Sequence, residues 1–231
     1  MGIEQVYNRL VEVRKAIQAP VDTMGCHMLA KPARMNLKAF RFQVMTGLLL
    51  SSQTKDEVTA AAFGRLSDKF GVEFDAFVIS KQHPDVISKL IKPVGFYRRK
   101  AEYLVKAAGV LVKDFDGDLP DRINDVMNLP GIGPKMAHLI MAVAWNQVTG
   151  IGVDVHVHRI ANRLGWVDTD DTERTRVLLE GLFDRKHWFT LNPLLVGFGQ
   201  TVCTVKTPKC MEKCHLEIRK ECKYFREHYD W

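Results

Sequence analysis

Long hydrophobic runs are missing from this chain, and so is strand-like alternation. No apolar stretch among the 231 residues reaches the roughly 18–20 needed for a helix to cross a bilayer. The opening Met1-Gly2-Ile3-Glu4-Gln5-Val6 carries an early acid with no apolar segment behind it, unlike a secretory signal. Val6 also stands where myristoylation needs Ser or Thr. The expectation is a soluble, intracellular protein with no membrane partner. Internal repeats, low-complexity tracts and flexible linkers are absent as well. Cysteine is scarce and then crowded: Cys26 stands alone, whereas Cys203, Cys210, Cys214 and Cys222 fall within twenty residues. In an intracellular protein that clustering favours a metal over disulfides, while Cys26 reads as a simple core or surface thiol.

What is present is ordinary globular material, 46% hydrophobic and long enough to bury a full core. Basic residues number 33 against 27 acidic ones, a net charge of +6. An excess of that size suits a polyanion without requiring one. Apolar spacings of three and four predict helices near 3–18, 37–51, 55–70, 84–91, 97–115, 121–128, 135–148, 154–164, 171–184 and 187–200. Breaks fall at Pro20, Pro32, Pro84, 117–120, Pro130 and Gly150. The fold class is all-α.

The segment Leu129-Pro130-Gly131-Ile132-Gly133-Pro134-Lys135 runs into an apolar helix. With a short helix before it, for which Asp121 is the expected cap, it forms a helix-hairpin-helix unit over about 121–148. Gly131 and Gly133 allow positive φ and close approach of a phosphate, and Pro134 suits a first helical turn. A glycine hairpin opening a helix presents N–H groups to an anion, of which DNA phosphate is the commonest. Lys135, just behind it, is placed to attack a bound backbone. Nineteen residues on, Val153-Asp154-Val155-His156 puts a carboxylate at a helix start, as an N-cap or a catalytic group.

Further stretches complete a pattern: Leu50-Ser51-Ser52-Gln53-Thr54-Lys55-Asp56, Val94-Gly95-Phe96-Tyr97-Arg98, Leu129 to Trp145, Val153 to Leu164, and Val196-Gly197-Phe198-Gly199-Gln200. In this order they resemble the endonuclease III-type DNA glycosylases of the helix-hairpin-helix superfamily, especially the eukaryotic branch, over about residues 40–222. The resemblance implies two helical lobes with double-stranded DNA in the cleft between them. One lobe would span 36–150; the other would join 1–35 to 151–231 and carry an iron–sulfur loop at 203–222. It implies an enzyme of base excision repair that excises oxidised pyrimidines and cleaves the abasic strand by β-elimination. Nuclear residence, with a mitochondrial form, follows by family analogy; a monomer is the default.

Under that resemblance Lys135 becomes the nucleophile, because only an amine can form the imine on which elimination depends. Asp154 becomes the carboxylate that steadies the cationic sugar or takes the lysine's proton. Gln53 enters the gap left by an extruded base. Phe96 and Tyr97 either wedge the opposite strand or belong to the core. Arg98, Arg99 and Lys100 either add phosphate attraction or form a solvated basic face, and His158 with Arg159 could contact phosphate, packing or capping being the better reading for at least one of the two. His156 and His158 lack a third ligand, so no metal is assigned there. The four clustered cysteines would hold a 4Fe-4S cluster and shape a loop made basic by Lys206, Lys209, Lys213, Arg219 and Lys220. Their gaps of six, three and seven residues depart from the family's six, two and five, so zinc or no metal stays open. The competing readings are a DNA-binding module without catalysis, which ignores Lys135 and Asp154, and a metal-responsive structural protein, which ignores the hairpin.

Overall fold

The computed structural model describes residues 2–25, 28–30 and 36–229; Cys26 and Pro32 lie outside them. The described residues carry fifteen α-helices: α1 Ile3–Lys15, α2 Pro20–Met24, α3 Leu37–Ser51, α4 Asp56–Phe70, α5 Ala76–Ser80, α6 Pro84–Ile91, α7 Tyr97–Asp114, α8 Ile123–Met127, α9 Pro134–Trp145, α10 Val155–Leu164, α11 Thr172–Leu182, α12 Trp188–Thr201, α13 Cys210–Lys213, α14 Leu216–Glu221 and α15 Lys223–His228. No strand occurs among them. The long helices follow the apolar periodicity closely, and 37–51 and 84–91 match to the residue. The helices that periodicity misses are short: α2 and α5 have five residues each, α13 four, α14 and α15 six. None is long enough to repeat an apolar stripe.

The chain divides into two compact units, one of residues 1–22 with 150–231 and one of 23–149. The first crossover therefore falls ahead of the expected 35/36 boundary, because Ala30 and Leu29 pack into the core of the middle unit. That core is built around α3, whose Phe42, Val44, Met45, Leu48, Leu49 and Leu50 are at most 2% exposed. A helix buried all round must be a central one, and each such side chain contributes about 1.5–3 kcal/mol of burial. Around it pack α4, α7 and α9, with α5 and α6 against α7.

In the terminal unit α12 is the buried helix. It packs against α1 and α10, with Leu10, Val157, Ile160, Leu191 and Leu195 at 0% exposure. The glycines of its Val196–Gln200 stretch exist for close approach. A Cβ at Gly197 would meet the Arg14 guanidinium at 2.3 Å, and one at Gly199 would meet His156 Nδ1 at 2.6 Å.

Candidate active site

The helix-hairpin-helix unit is α8, residues 128–133 and α9. Arg122, not Asp121, is the N-cap of α8, and no side-chain cap bond is made there. Two side chains anchor the hairpin in the core of the middle unit, Leu129 at 3% and Ile132 at 7% exposure. The turn closes with Ile132 N–H donating to Leu129 O at 3.1 Å. Gly131 stands at φ 81, and a Cβ there would lie 2.6 Å from Cδ2 of Tyr103, twenty-eight residues earlier. Two separate penalties, the left-handed backbone and the ring, should make Gly131→Ala destabilising by about 1–3 kcal/mol. Differential scanning calorimetry should record a fall of several degrees in the melting midpoint; an unchanged midpoint would show that the ring yields freely.

Gly133 does not use the positive φ open to it: it is extended, at φ −101, and caps α9 without a side-chain bond. Its missing Cβ faces open space, so the reason for glycine here is access to the backbone. The first-turn amides of a helix have no partners within it and carry its positive end. Lys135 follows Pro134 as the second residue of α9 and is half-buried.

Asp154 belongs to the terminal unit and is the N-cap of α10. Its Oδ1 accepts from His156 N–H and Val157 N–H, both at 2.9 Å. The approach to it is pinned from two helices. Ile151 N–H donates to Glu180 Oε1 of α11 at 2.9 Å, and Asn192 Nδ2 of α12 donates to Gly152 O at 2.5 Å. Val153 and Val157 are buried on either side. The carboxylate is thus held by its own helix start on a rigid segment.

Two residues read as phosphate contacts are turned inward. The Arg159 guanidinium meets His156 Nδ1 at 3.1 Å and donates to Cys203 O at 3.0 Å. Burial lowers its proton affinity, while Cys203 and Asp154 raise it. Lys100 is 4% exposed, with Nζ 2.7 Å from Leu50 O, 2.5 Å from Ser52 O and 3.2 Å from Thr54 Oγ1. It lies on the inward stripe of α7 that continues through Leu104, Ala108 and Leu111. That four-and-three spacing was the signal that it faces in.

The remaining expected contacts separate by exposure. Gln53 and Arg98 are exposed, and the Arg98 guanidinium lies 5.7 Å from the Tyr97 ring centroid. Phe96 is 64% exposed at φ 54, whereas Tyr97 packs against the core. His158 is half-buried in a side-chain network, its Nδ1 2.7 Å from Thr175 Oγ1.

In the C-terminal segment Cys203 and Cys210 are buried, and Cys214 and Cys222 are half-buried. The four thiols lie close enough to act on one another. Burial raises Cys214 well above the ordinary thiol range, and the other three cysteines push it further. Burial first, then Cys203 and Cys210, raise Cys222 to about 11. Arg163 supplies part of the frame, donating to Cys203 Sγ at 3.3 Å and Thr204 O at 2.7 Å, and its carbonyl accepts from Cys222 Sγ at 3.2 Å. The second gap lies in α13 and the third holds α14. In number and kind the thiols fit an iron–sulfur group. Among the described residues no three Cys, His, Asp or Glu side chains are set around a single metal ion. Lys206, Lys209, Lys213 and Lys220 are exposed on this segment, and Arg219 is half-buried with its guanidinium 5.5 Å from the Phe225 ring centroid.

An all-helical frame that anchors a glycine hairpin, with a lysine at the start of the following helix, defines a helix-hairpin-helix protein. The chain matches the model of the HhH-GPD superfamily of base excision DNA repair proteins over residues 46–185. It is 43% identical over 218 residues to an endonuclease III homologue of Schizosaccharomyces pombe, covering 94% of this chain and 61% of that protein. An endonuclease III homologue of Encephalitozoon cuniculi is 45% identical over 227 residues, covering 94% and 92%. A solved structure of a trapped endonuclease III–DNA covalent intermediate shares the fold, with a TM-score of 0.80 over 98% of each chain at 22% identity. The chain spans 61% and 56% of the length of its Schizosaccharomyces pombe and Arabidopsis thaliana relatives. It belongs to the HhH-GPD superfamily of base excision DNA repair proteins.

Proposed function

We propose that the chain is a bifunctional DNA N-glycosylase and abasic-site lyase that removes oxidised pyrimidines from double-stranded DNA. The observation that carries the proposal is Lys135 at the second position of α9, directly behind the open backbone of Gly133. The neutral amine attacks C1′ of an extruded nucleotide; the Nζ–C1′ bond forms as the bond to the base breaks, and the base leaves with a proton. Asp154 stabilises the positive charge on the sugar and accepts the proton that Lys135 sheds. The C1′–O4′ bond then breaks, O4′ takes a proton from solvent, and the protonated imine left at C1′ acidifies the C2′ proton. Its removal expels the 3′ phosphate, and water then hydrolyses the imine to return the lysine.

Gly131 and Gly133 lend the hairpin to one phosphate, Arg98 adds attraction to another, and His158 approaches a third from the terminal unit. Gln53 fills the space of the extruded base, since C1′ is out of reach while the base is stacked. Cys203, Cys210, Cys214 and Cys222 would hold a 4Fe-4S cluster, which would serve there as a structural cross-link shaping the lysine-rich segment. Nuclear residence, with a mitochondrial form, belongs to the same reading, as does action as a monomer. Among the described residues no helix is long and apolar enough to cross a membrane. A non-catalytic DNA-binding role leaves Lys135 and Asp154 without a use.

The test is a duplex oligonucleotide with one thymine glycol. Free thymine glycol and a strand cut by β-elimination are the expected products. Tight binding with the duplex left intact would replace the enzyme by a DNA-binding module.

A further inference from the structure

Gln53 and Phe96 are two exposed side chains that share an unusual backbone: both lie in the left-handed region, at φ 49 and φ 54. Residues with a Cβ adopt it at a cost and keep it only where the surroundings over-determine it. The surroundings here are specific. Thr54 Oγ1 donates to Ser52 O at 3.1 Å and accepts from Gly95 N–H at 3.1 Å. A Cβ at Gly95 would lie 2.6 Å from Gln53 O, so the two turns touch backbone to backbone. Lys100 Nζ closes the arrangement on Leu50 O, Ser52 O and Thr54 Oγ1. An ammonium has three donors and no acceptor, and all three find partners. Two of these partners are carbonyls at the C-terminal end of α3, where orphan acceptors and the negative end of the helix favour a cation.

We infer that Lys100 is a positioning residue for base extrusion, clamping the Gln53 turn to the Gly95–Phe96 turn so that both exposed side chains are presented as one preformed wedge. A positive charge placed on an apolar helix stripe has no packing rationale, since leucine or methionine would fill that position. Desolvation pulls Lys100 down to about 8, which is the penalty the clamp must outweigh. The inference rests on the reading of Gln53 as the residue that fills the gap left by the base.

The test compares Lys100→Met, Thr54→Val, Gln53→Ala and the double variant Lys100→Met/Gln53→Ala. Two single-turnover reactions are followed, excision of a paired thymine glycol and borohydride trapping on a preformed abasic site. Extrusion costs least where no base remains to be unstacked. Lys100→Met should therefore lose about tenfold or more in excision while trapping stays within about threefold of native. The double variant should be no slower than the worse single one, because both act on one step. Amide hydrogen exchange at Thr54 and Gly95 should quicken at least about tenfold in Lys100→Met. Thr54→Val keeps volume and removes the shared hydroxyl; it should show the same split and serves if Lys100→Met does not fold.

Native excision or unchanged exchange in folded Lys100→Met, with Gln53→Ala impaired, would overturn the clamp. Equal losses in both reactions would make Lys100 merely structural. Native excision by Gln53→Ala would sink the Gln53 reading and the inference with it. No excision by the native protein would overturn the glycosylase proposal, while the exchange result would still decide whether the clamp exists.

Discussion

Lys135→Ala is expected to abolish the covalent adduct that borohydride traps between the protein and DNA containing thymine glycol. Alanine at the second position of α9 is a good helix former, so the hairpin and its buried Leu129 and Ile132 should stay in place. What disappears is the only group at the head of α9 able to form an imine with C1′, since a hydroxyl nucleophile cannot acidify C2′ in that way. Strand cleavage should fall by about 10³-fold or more, the scale of losses when a covalent nucleophile is removed. DNA affinity should change by no more than about tenfold, because a phosphate interface distributes its energy over many cations. A folded Lys135→Ala protein that still traps would remove Lys135 from the chemistry and move the search to another amine.

Asp154→Asn separates the two roles open to this residue. Asparagine caps a helix about as well as aspartate, so the bonds now made to His156 N–H and Val157 N–H should be retained. The negative charge alone is lost. If that charge supports a cationic sugar, single-turnover base release should slow by about 10²-fold or more, with DNA binding unchanged or slightly tighter because one like charge has left a polyanion's surroundings. Asp154→Ala should add a stability loss of about 1 kcal/mol for the missing cap. Native excision by Asp154→Asn, with only Asp154→Ala impaired through instability, would reduce Asp154 to a cap.

Much of this arrangement is legible in the sequence. The apolar spacing that marks 37–51 and 84–91 reproduces α3 and α6 to the residue, and a carboxylate ahead of an amphipathic stretch correctly announces Asp154 as the cap of α10. Both signals are local. The misreadings have local causes too. Asp121 looked like a cap from composition, yet the first turn of α8 begins after Arg122. Gly131 and Gly133 both allow positive φ, and only Gly131 uses it. Lys100 and Arg159 read as surface cations because most lysines and arginines are exposed; the apolar stripe of α7 marks Lys100 as inward-facing, but the carbonyls that partner each of them come from segments distant in sequence.

The sequence by itself determined the helical class, the place of the hairpin, the lysine behind it and the start of α10. Helix periodicity, capping and turn chemistry act over a few residues and are written in consecutive ones. Only the tertiary structure decided which charges face inward, that the Tyr103 ring lies against Gly131, and that Lys100 ties the turn of Gln53 to that of Phe96. It also decided that Cys203 and Cys210 are buried while Cys214 and Cys222 are half-buried. Those outcomes depend on burial and on partners from 28 to 50 residues away, where no run of neighbours in the chain records which side chain will be met.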